Sequence, residues 1–324
     1  MIALITGGAG FIGSHLGEHL LENGYKKVIA VDDLSTGNKY NLSNLLMMGR
    51  RFKFVKGSIT DYALIKKYIQ KADVIFHLAA AVGVRLVVEK PVQTIETNII
   101  GTEKILCLAN RYKKRVLLTS TSEVYGKSAK CPFSENDDLL LGPTTKSRWS
   151  YACSKAIDEF LALAYYSENA LPVVIARLFN TVGPRQSERY GMVLPNFVRQ
   201  AISNKPITVF GDGKQSRCFC HVKDAVTGLR LLAESGKTTG EVFNVGNNKE
   251  ISIGKLAERV KVLANSRSEI IRIPYEKAYK QGFEDIRRRI PDISKIKRAI
   301  NFYPEYSTDD IIKEMISYYR TDIR

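Results

Sequence analysis

Ile2-Ala-Leu-Ile-Thr6, followed at once by Gly7-Gly-Ala-Gly10-Phe-Ile-Gly13, decides the fold. The first run is short, apolar and uncharged, as a strand buried on both faces of a parallel sheet must be. Past the glycines, Ile12, Leu16, Leu20 and Leu21 share one helical face, and Asn23-Gly24 supplies a stop. A second apolar strand, Val28-Ile-Ala-Val31, runs into Asp32-Asp33. In such a unit Gly7 permits the tight turn, Gly10 lets backbone approach a pyrophosphate, and Gly13 allows close helix–sheet packing. The helix N-terminus offers free N–H groups and a favourable dipole to phosphates. Asp32 stands about 20 residues past the last glycine, where its carboxylate accepts both hydroxyls of an adenosine ribose and repels a 2′-phosphate. The order of strand, glycines, helix, strand and acid points to a dinucleotide-binding unit, and to NAD over NADP.

The alternation continues outward. Phe52-Lys-Phe-Val55 reads as a strand, and Asp61 caps a helix carrying Leu64, Ile65, Tyr68 and Ile69. Val74-Ile-Phe-His-Leu78 is the next strand, with His77 expected as a packed strand residue. Ala79-Ala-Ala-Val-Gly83 follows, small enough to lie close to a flat ligand. Pro91 opens a long helix reaching Asn110, with Ile95, Ile99, Thr102 and Ile105 in phase. Arg115-Val-Leu-Leu118 then delivers the polar run Thr119-Ser-Thr-Ser-Glu-Val-Tyr125 to a carboxyl end, where open parallel sheets bind ligands. After a loop over 126–149 comes a helix over 150–168, and Pro172 to Phe179 is the sixth strand. Beyond it Gly183-Pro184, Pro195 and Pro206 break the rhythm. Late helices are expected after Ser252 and after Thr308. The reading is an α/β chain built on a Rossmann-type doubly wound parallel sheet, with a smaller mixed α/β substrate-binding lobe. Residues 1–178 form the NAD-binding domain, with a returning segment near 218–248 that includes Glu241 to Val245. Residues 179–324 form mainly the substrate lobe.

Composition excludes several classes. Hydrophobic residues at 44% and charged residues at 25% describe an ordinary globular protein, and no apolar run is long enough for a membrane span. The Met1-Ile-Ala-Leu-Ile5 start lacks the basic region of a signal peptide. Five scattered cysteines, with Cys218-Phe-Cys220 lacking a second pair, read as free thiols in a reducing cytoplasm rather than a metal site. The net charge of +16 raises nucleic acid as a partner, yet the basic clusters are dispersed and no nucleic-acid fold signature accompanies them. Most are expected to be solvated helix ends and loops, with Arg287-Arg-Arg289 the exception.

The chemistry-bearing pair is Tyr151 and Lys155. On a helix, residues four apart share a face, so the ammonium is expected to favour the phenolate and make Tyr151 a base for a sugar or alcohol hydroxyl. Alone the spacing is weak; its position after the Thr119–Tyr125 run gives it weight.

With these motifs placed, the chain resembles an extended short-chain dehydrogenase/reductase of the NAD-dependent nucleotide-sugar epimerase/dehydratase family. The resemblance spans nearly the whole length and rests on Thr6 to Gly13, Asp32, His77-Leu-Ala-Ala80, Thr97-Asn98, Thr121-Ser-Glu123, Tyr151 with Lys155, Arg177-Leu-Phe-Asn180, Gly211-Asp-Gly213 with Arg217, and Pro291-Asp-Ile-Ser294. It implies that Gly7, Gly10, Phe11, Ile12 and Gly13 hold the pyrophosphate and Asp32 the ribose, with Ser58, Ile59, Leu78, Ala79, Ala80 and Asn98 also lining the cofactor. Lys155 would reach the nicotinamide ribose, and Thr121 the sugar 4-hydroxyl beside Tyr151. Arg85, Ser122, Asn180, Arg217 and Arg289 would bind substrate, the last three at its diphosphate or nucleotide. Ser58 stands where many relatives have an Asp, and Asn301-Phe-Tyr303 where they often have a Trp. A homodimer pairing the helices near 91–113 and 150–168 is expected.

The shared chemistry is transient oxidation at the sugar 4-position. Thr121-Ser-Glu123 is similar to UDP-glucuronate decarboxylases and also to GDP-mannose 4,6-dehydratases, and Asp32 argues against the latter, which generally use NADP. In a hexuronate the 4-ketone makes the 6-carboxylate a β-keto acid, and the decarboxylase resemblance implies that Glu123 and Arg217 manage the carbon-5 proton. Ala79 to Arg85 and Arg185 to Met192 look more like UDP-sugar 4-epimerases. Decarboxylation of UDP-glucuronate therefore leads, with 4-epimerisation second and 4,6-dehydration third. A nucleotide-binding module without catalysis is the non-enzymatic alternative, though such proteins usually lose the Tyr or the Lys.

Overall fold

A computed structural model describes residues 1–81, 90–187, 192–274 and 287–322. Seven parallel strands make the main sheet: β1 (Ile2–Thr6), β2 (Lys27–Asp32), β3 (Phe52–Lys56), β4 (Val74–His77), β5 (Arg115–Thr121), β6 (Val173–Leu178) and, much later in the chain, β11 (Glu241–Val245). Their order is β11-β6-β5-β4-β1-β2-β3, so the winding reverses between β1 and β4. That reversal opens a crevice at the carboxyl ends of these two strands, the general ligand position in a doubly wound sheet. The inner strands are apolar throughout because both faces are covered. One face carries α1 (Phe11–Glu22) over Leu16 and Leu20, together with the short α2 (Ser43–Leu46). The other carries α3 (Tyr62–Ile69), α4 (Pro91–Arg111) and α5 (Arg148–Asn169) over Ile65, Ile105, Leu108 and Ala162.

Past β6 the chain leaves and re-enters this sheet. It makes β7 (Thr181–Val182), α6 (Val193–Ile202), β8 (Ile207–Phe210), β9 (Ser216–Cys218) and β10 (Cys220–His221). Helix α7 (Val222–Glu234) then packs beside α1, and β11 pairs with β6 from Glu241 opposite Val174 to Val245 opposite Leu178. The rest is β12 (Glu250–Ser252), α8 (Ile253–Leu263), β13 (Ile270–Ile273), β14 (Arg288–Arg289), α9 (Ser294–Ile300) and α10 (Thr308–Asp322). A separate core joins α6, α8 and α10 through Phe197, Val198, Leu256, Val260, Ile312 and Met315. Phe302, in the segment where a Trp was the expected alternative, is buried where α7 has Gly228, so a Cβ there would lie 3.2 Å from its ring.

Local expectations and local structure differ in a few places. Asp61 and Ser252 cap their helices as expected, accepting from Leu64 N at 3.0 Å and Lys255 N at 3.3 Å. The last helix, however, is capped by Ser307 rather than Thr308. The Ser307 hydroxyl accepts from Asp310 N at 3.2 Å, and the Asp310 carboxylate accepts from Ser307 N at 3.0 Å. Strand β5 runs on through Thr121 because β6 continues beside it, Thr121 opposite Leu178. On α4 the buried stripe is Thr94, Asn98, Gly101, Thr102 and Ile105, whereas Ile95 is exposed. Small polar residues lie inward there because α5 packs closely on that face.

One buried ion pair ties the end of the sheet to α5. Arg177 on β6 donates from Nε to Glu159 Oε1 at 3.0 Å and from Nη2 to Oε2 at 2.7 Å, with its guanidinium 4.8 Å from the Tyr125 ring centroid. Burial opposes the Arg177 charge, but its bonds to Glu159 outweigh that and hold it ionised. The Tyr125 hydroxyl in turn donates to Asn244 Oδ1 on β11 at 2.7 Å. Removing one partner strands a buried charge. We expect Arg177→Met to cost about 3–5 kcal/mol in urea denaturation, and Arg177→Met combined with Glu159→Leu to recover most of it. Equal losses in the single and double variants would show that the pairing is not what stabilises this corner.

Candidate active site

The crevice between β1 and β4 is shaped by residues without side chains. Gly7 has φ of 72°, and a Cβ on it would lie 2.9 Å from Ala79 N. A Cβ on Gly13 would fall on the Gly7 carbonyl oxygen, so neither position tolerates any other residue without backbone movement. Gly10 is the N-cap of α1 and supplies no side-chain cap, which leaves the first turn, Phe11-Ile-Gly13, to satisfy its N–H groups with an anion. At the end of β2 the Asp32 carboxylate accepts from Ala9 N at 3.0 Å and Leu34 N at 2.8 Å. Burial raises its pKa against those bonds. Gly37 packs on the same carboxylate, a Cβ there being 2.7 Å from Oδ1. A dinucleotide fits this arrangement: backbone can approach a pyrophosphate at the glycines, and a ribose-accepting carboxylate stands one strand away.

The remaining cofactor candidates divide into two kinds. Leu78, Ala79 and Ala80 lie half-buried at the end of β4, with Ala79 N donating to Thr6 Oγ1 at 3.2 Å. Ser58 is held in its own turn, bonded to Thr60 Oγ1 at 2.8 Å and accepting from Thr60 N at 3.1 Å. Ile59 points into the core against Gly101. Asn98 is buried and its amide is engaged within the protein: Oδ1 accepts from Ala81 N at 2.8 Å, and Nδ2 donates to Ser154 Oγ at 3.0 Å. Asn98 therefore clasps the backbone after β4 to α5.

Tyr151, Thr121 and Glu123 converge where β5 ends. Thr121 acts on the Tyr151 phenol to favour its ionised form, and the Thr121 hydroxyl accepts from Glu123 N at 3.2 Å. Ser122 is buried in the same turn. The expected influence of Lys155 on the phenol is corrected here. The Lys155 ammonium forms an ion pair with Asp158 Oδ2 at 2.7 Å, both side chains being almost wholly buried. Burial raises the Tyr151 pKa, with the Glu123 and Asp158 carboxylates adding to it and Thr121 opposing it. The neutral phenol is thus the resting form.

Glu123 is surrounded by guanidinium groups. Arg289 Nη1 donates to its Oε1 at 2.6 Å, and Arg148 Nη2 lies 3.8 Å from Oε2. Burial works to raise its pKa, but Arg289, Arg148 and Arg217 together hold the carboxyl below its ordinary value. Arg217 and Arg289 are register partners on β9 and β14, so one sheet brings both to the same place. Arg289, expected at the substrate's diphosphate or nucleotide, bonds the carboxylate beside the phenol. Arg217 donates to Ser216 O at 2.7 Å. Asn180, with φ of 30°, donates to Cys218 O at 3.0 Å and links β6 to β9. Arg85 lies outside the described residues.

Sequence reasoning missed Arg148 and Asp158. Helical spacing held the signal for both, since they fall three residues before Tyr151 and three after Lys155.

Comparisons with known proteins agree with this geometry. Residues 4–315 match the family model described as GDP-mannose 4,6 dehydratase. The UDP-N-acetyl-alpha-D-glucosaminuronate decarboxylase of Bacillus cytotoxicus is 44% identical over 98% of this chain and 97% of its own length. UDP-glucuronic acid decarboxylase 3 of Arabidopsis thaliana is 39% identical over 94% and 85%. Among solved structures, the UDP-glucose 4-epimerase of Thermotoga maritima with UDP-glucose has a TM-score of 0.89 at 30% identity, covering all of both chains. The dTDP-glucose 4,6-dehydratase of Bacillus anthracis in complex with NAD has 0.86 at 28%, covering 99% of this chain and 97% of the other. A glycine-lined crevice, a Tyr and Lys on one helix and a family match over nearly the whole length lead to one conclusion: the chain belongs to the GDP-mannose 4,6 dehydratase family, among the nucleotide-sugar epimerases and dehydratases of the extended short-chain dehydrogenases/reductases.

Proposed function

We propose that the protein is an NAD-dependent decarboxylase of a UDP-linked hexuronate, with UDP-glucuronate as the leading substrate. The observation that carries this reading is the Arg289–Glu123 bond at 2.6 Å beside Tyr151. Three guanidinium groups, from Arg148, Arg217 and Arg289, act on the single carboxylate of Glu123. That excess of positive charge suits a substrate bringing a second carboxylate; a neutral hexose has no use for it. The relatives that are 44% and 39% identical, both named as UDP-hexuronate decarboxylases, support the same reading.

When bound, NAD supplies the hydride acceptor for carbon 4 and afterwards the donor. Gly7, Gly10, Phe11, Ile12 and Gly13 would hold its pyrophosphate, and Asp32 its adenosine ribose. Tyr151 must first give up its own proton to solvent; as the phenolate, its charge balanced by Lys155 and its position set by Thr121, it would take the proton of the 4-hydroxyl. The resulting ketone lies β to the 6-carboxylate, so the carbon 5–carbon 6 bond breaks with its electron pair going to the enolate oxygen as carbon dioxide leaves. Glu123, ionised beside Arg289, carries no proton of its own, so carbon 5 of the enolate would take its proton from a solvent water oriented by these two groups. Ser122, Asn180 and Arg217 remain candidates for substrate contact. UDP-sugar 4-epimerisation is the second reading. It needs only the ketone and a sugar able to turn, and the epimerase likeness at 30% identity favours it.

The assembly we infer is a homodimer. Cys153, Ile157, Phe160 and Ala164 make an exposed stripe at helical spacing on α5, with Phe160 at 70% exposure, and Val92, Ile95 and Ile100 are exposed on neighbouring α4. Such a face on two packed helices suits a second copy and a four-helix interface. Among the described residues no helix is long and apolar enough to cross a membrane. The five free cysteines fit a reducing compartment, and we place the protein in the cytoplasm.

Incubation with UDP-glucuronate, UDP-N-acetylglucosaminuronate and UDP-glucose, followed by NMR of the products, tests the reaction. A UDP-pentose with release of carbon dioxide is expected, whereas a galacto-configured product alone would replace decarboxylation by epimerisation. Tyr151→Phe should lower turnover by about 10²–10⁴-fold with unchanged NAD affinity; near-parental turnover would remove the phenol from the chemistry. Glu123→Gln should slow appearance of the UDP-pentose far more than reduction of the bound cofactor followed at 340 nm. An equal effect on both would place Glu123 earlier in the reaction. Phe160→Glu should convert a dimer to a monomer in light scattering after gel filtration, and an unchanged mass would show that this face is not the interface.

A further inference from the structure

Between Asp33 and Asp61 the chain carries Lys39, Arg50, Arg51, Lys53 and Lys56 and no acidic residue. The two flanking acids are committed to local structure: Asp33 Oδ1 accepts from Ser35 N at 2.8 Å, and Asp61 caps α3. Within this stretch α2 and its adjoining turns carry apolar residues on both sides. Leu42 and Leu45 are fully buried on the α1 side of the sheet, and Met48 packs partly against the same core. Yet Tyr40, Leu46 and Met47 are 85%, 48% and 78% exposed. A lone exposed apolar side chain is ordinary; three so close in the chain, among cations only, mark a surface with a partner. Arg50 and Arg51 belong to the turn Gly49–Arg51 that follows α2, and Lys53 is exposed at the start of β3, the edge strand. Arg51 also ties this turn to the end of α1 through Leu21 O and Tyr25 O. Since α2 packs against both α1 and β3, the apolar side chains and the cations share one surface. Against them, the end of α1 sets one exposed acid, Glu22.

We propose that this face is a peripheral docking surface for a bilayer containing anionic phospholipid. Tyr40, Leu46 and Met47 enter the interfacial region, and Lys39, Arg50 and Lys53 meet the headgroups. Apolar side chains beside a purely basic rim are what such an interface takes. Among the described residues no helix is long and apolar enough to cross a membrane, so the contact is with one leaflet. Nucleic acid would use the cations but give Leu46 and Met47 nothing apolar to meet. A second copy seated here by a two-fold axis would set cations against cations, because such a contact brings like surface to like. The apolar stripe assigned above to the dimer lies on α4 and α5, across the sheet from α2. Dimerisation there leaves the basic face of each copy open to a membrane. Each cation close to an anionic surface raises the partition by about fivefold, and salt screens that gain.

The test is sedimentation of the full chain with vesicles of phosphatidylcholine, alone or mixed with phosphatidylglycerol. Binding is expected to the mixed vesicles only, and it should weaken by about tenfold as salt shortens the Debye length. Equal binding to both kinds of vesicle, or to neither, would overturn the proposal. Leu46→Ser/Met47→Ser leaves the charge unchanged and should lower the partition about tenfold. Arg50→Glu/Lys53→Glu should lower it by about tenfold or more. Arg111→Glu/Lys113→Glu makes the same change in net charge at exposed positions at the end of α4 and should leave the partition within about twofold. An equal loss in that variant would show that vesicles answer to overall charge and not to this face. Light scattering after gel filtration covers the other occupant: a mass that falls in Leu46→Ser/Met47→Ser would give the face to another copy of the chain. Binding to duplex DNA lost in Arg50→Glu/Lys53→Glu and kept in Leu46→Ser/Met47→Ser, without vesicle binding, would give it to nucleic acid. None of these readouts depends on which nucleotide sugar is turned over.

Discussion

Polar groups shut away from water must find partners within the protein, and that requirement organises the carboxyl edge of the sheet. Thr6, His77, Thr102, Asn98, Ser154, Lys155 and Asp158 are all buried or nearly so, and each meets another polar group. A parallel sheet covered on both faces has no solvent into which to turn such side chains. Once paired, they fix α4 and α5 to β1 and β4 with little freedom. The phenol, the lysine and the glycine turn therefore owe their mutual placement to groups that never meet a ligand. A catalytic constellation held this way is preorganised by its supporting shell.

The net charge of +16 finds part of its explanation in the same terms. Arg51 donates to the carbonyls of Leu21 at 2.6 Å and Tyr25 at 3.2 Å, and Arg115 to that of Ser235 at 2.5 Å, so these cations serve carbonyls at the ends of helices α1 and α7. Arg288 holds Glu250 in a two-pronged bond at 2.9 Å on each side. The arginines that gather at Glu123 are different. Arg148 comes from the start of α5, Arg217 from β9 and Arg289 from β14, far apart in the chain and concentrated on one carboxylate. Positive charge assembled from such distances is brought together by the tertiary fold, because local structure alone gives it no reason to converge.

The sheet, the glycine turn and Asp32 were legible because they rest on local periodicity and on turn chemistry written in consecutive residues. Tyr151 and Thr121 were legible as candidates, since one helix and one strand end carry them. The orientation of Lys155 was not: helical spacing puts it on the face of Tyr151 and equally of Asp158, and only burial decides that the carboxylate takes the ammonium. The contact of Arg289 with Glu123 was hidden for a related reason. The neighbour of Arg289 in space is set by the pairing of β14 with β9, about 70 residues earlier in the chain, which no local pattern encodes. The bond by which Asn98 holds the backbone of Ala81 was likewise hidden from local pattern.

The outermost strand of the main sheet, β11, reaches its place beside β6 only after the chain has built much of the second lobe. During synthesis, β6 therefore emerges with one side unpaired, and its hydrogen-bonding edge stays open until Glu241–Val245 has left the ribosome. An open, apolar strand edge is what chaperones bind and what neighbouring nascent chains adhere to. The late strand thus acts as a closing seal, making the solubility of the newly made protein depend on a segment translated well after the catalytic helix.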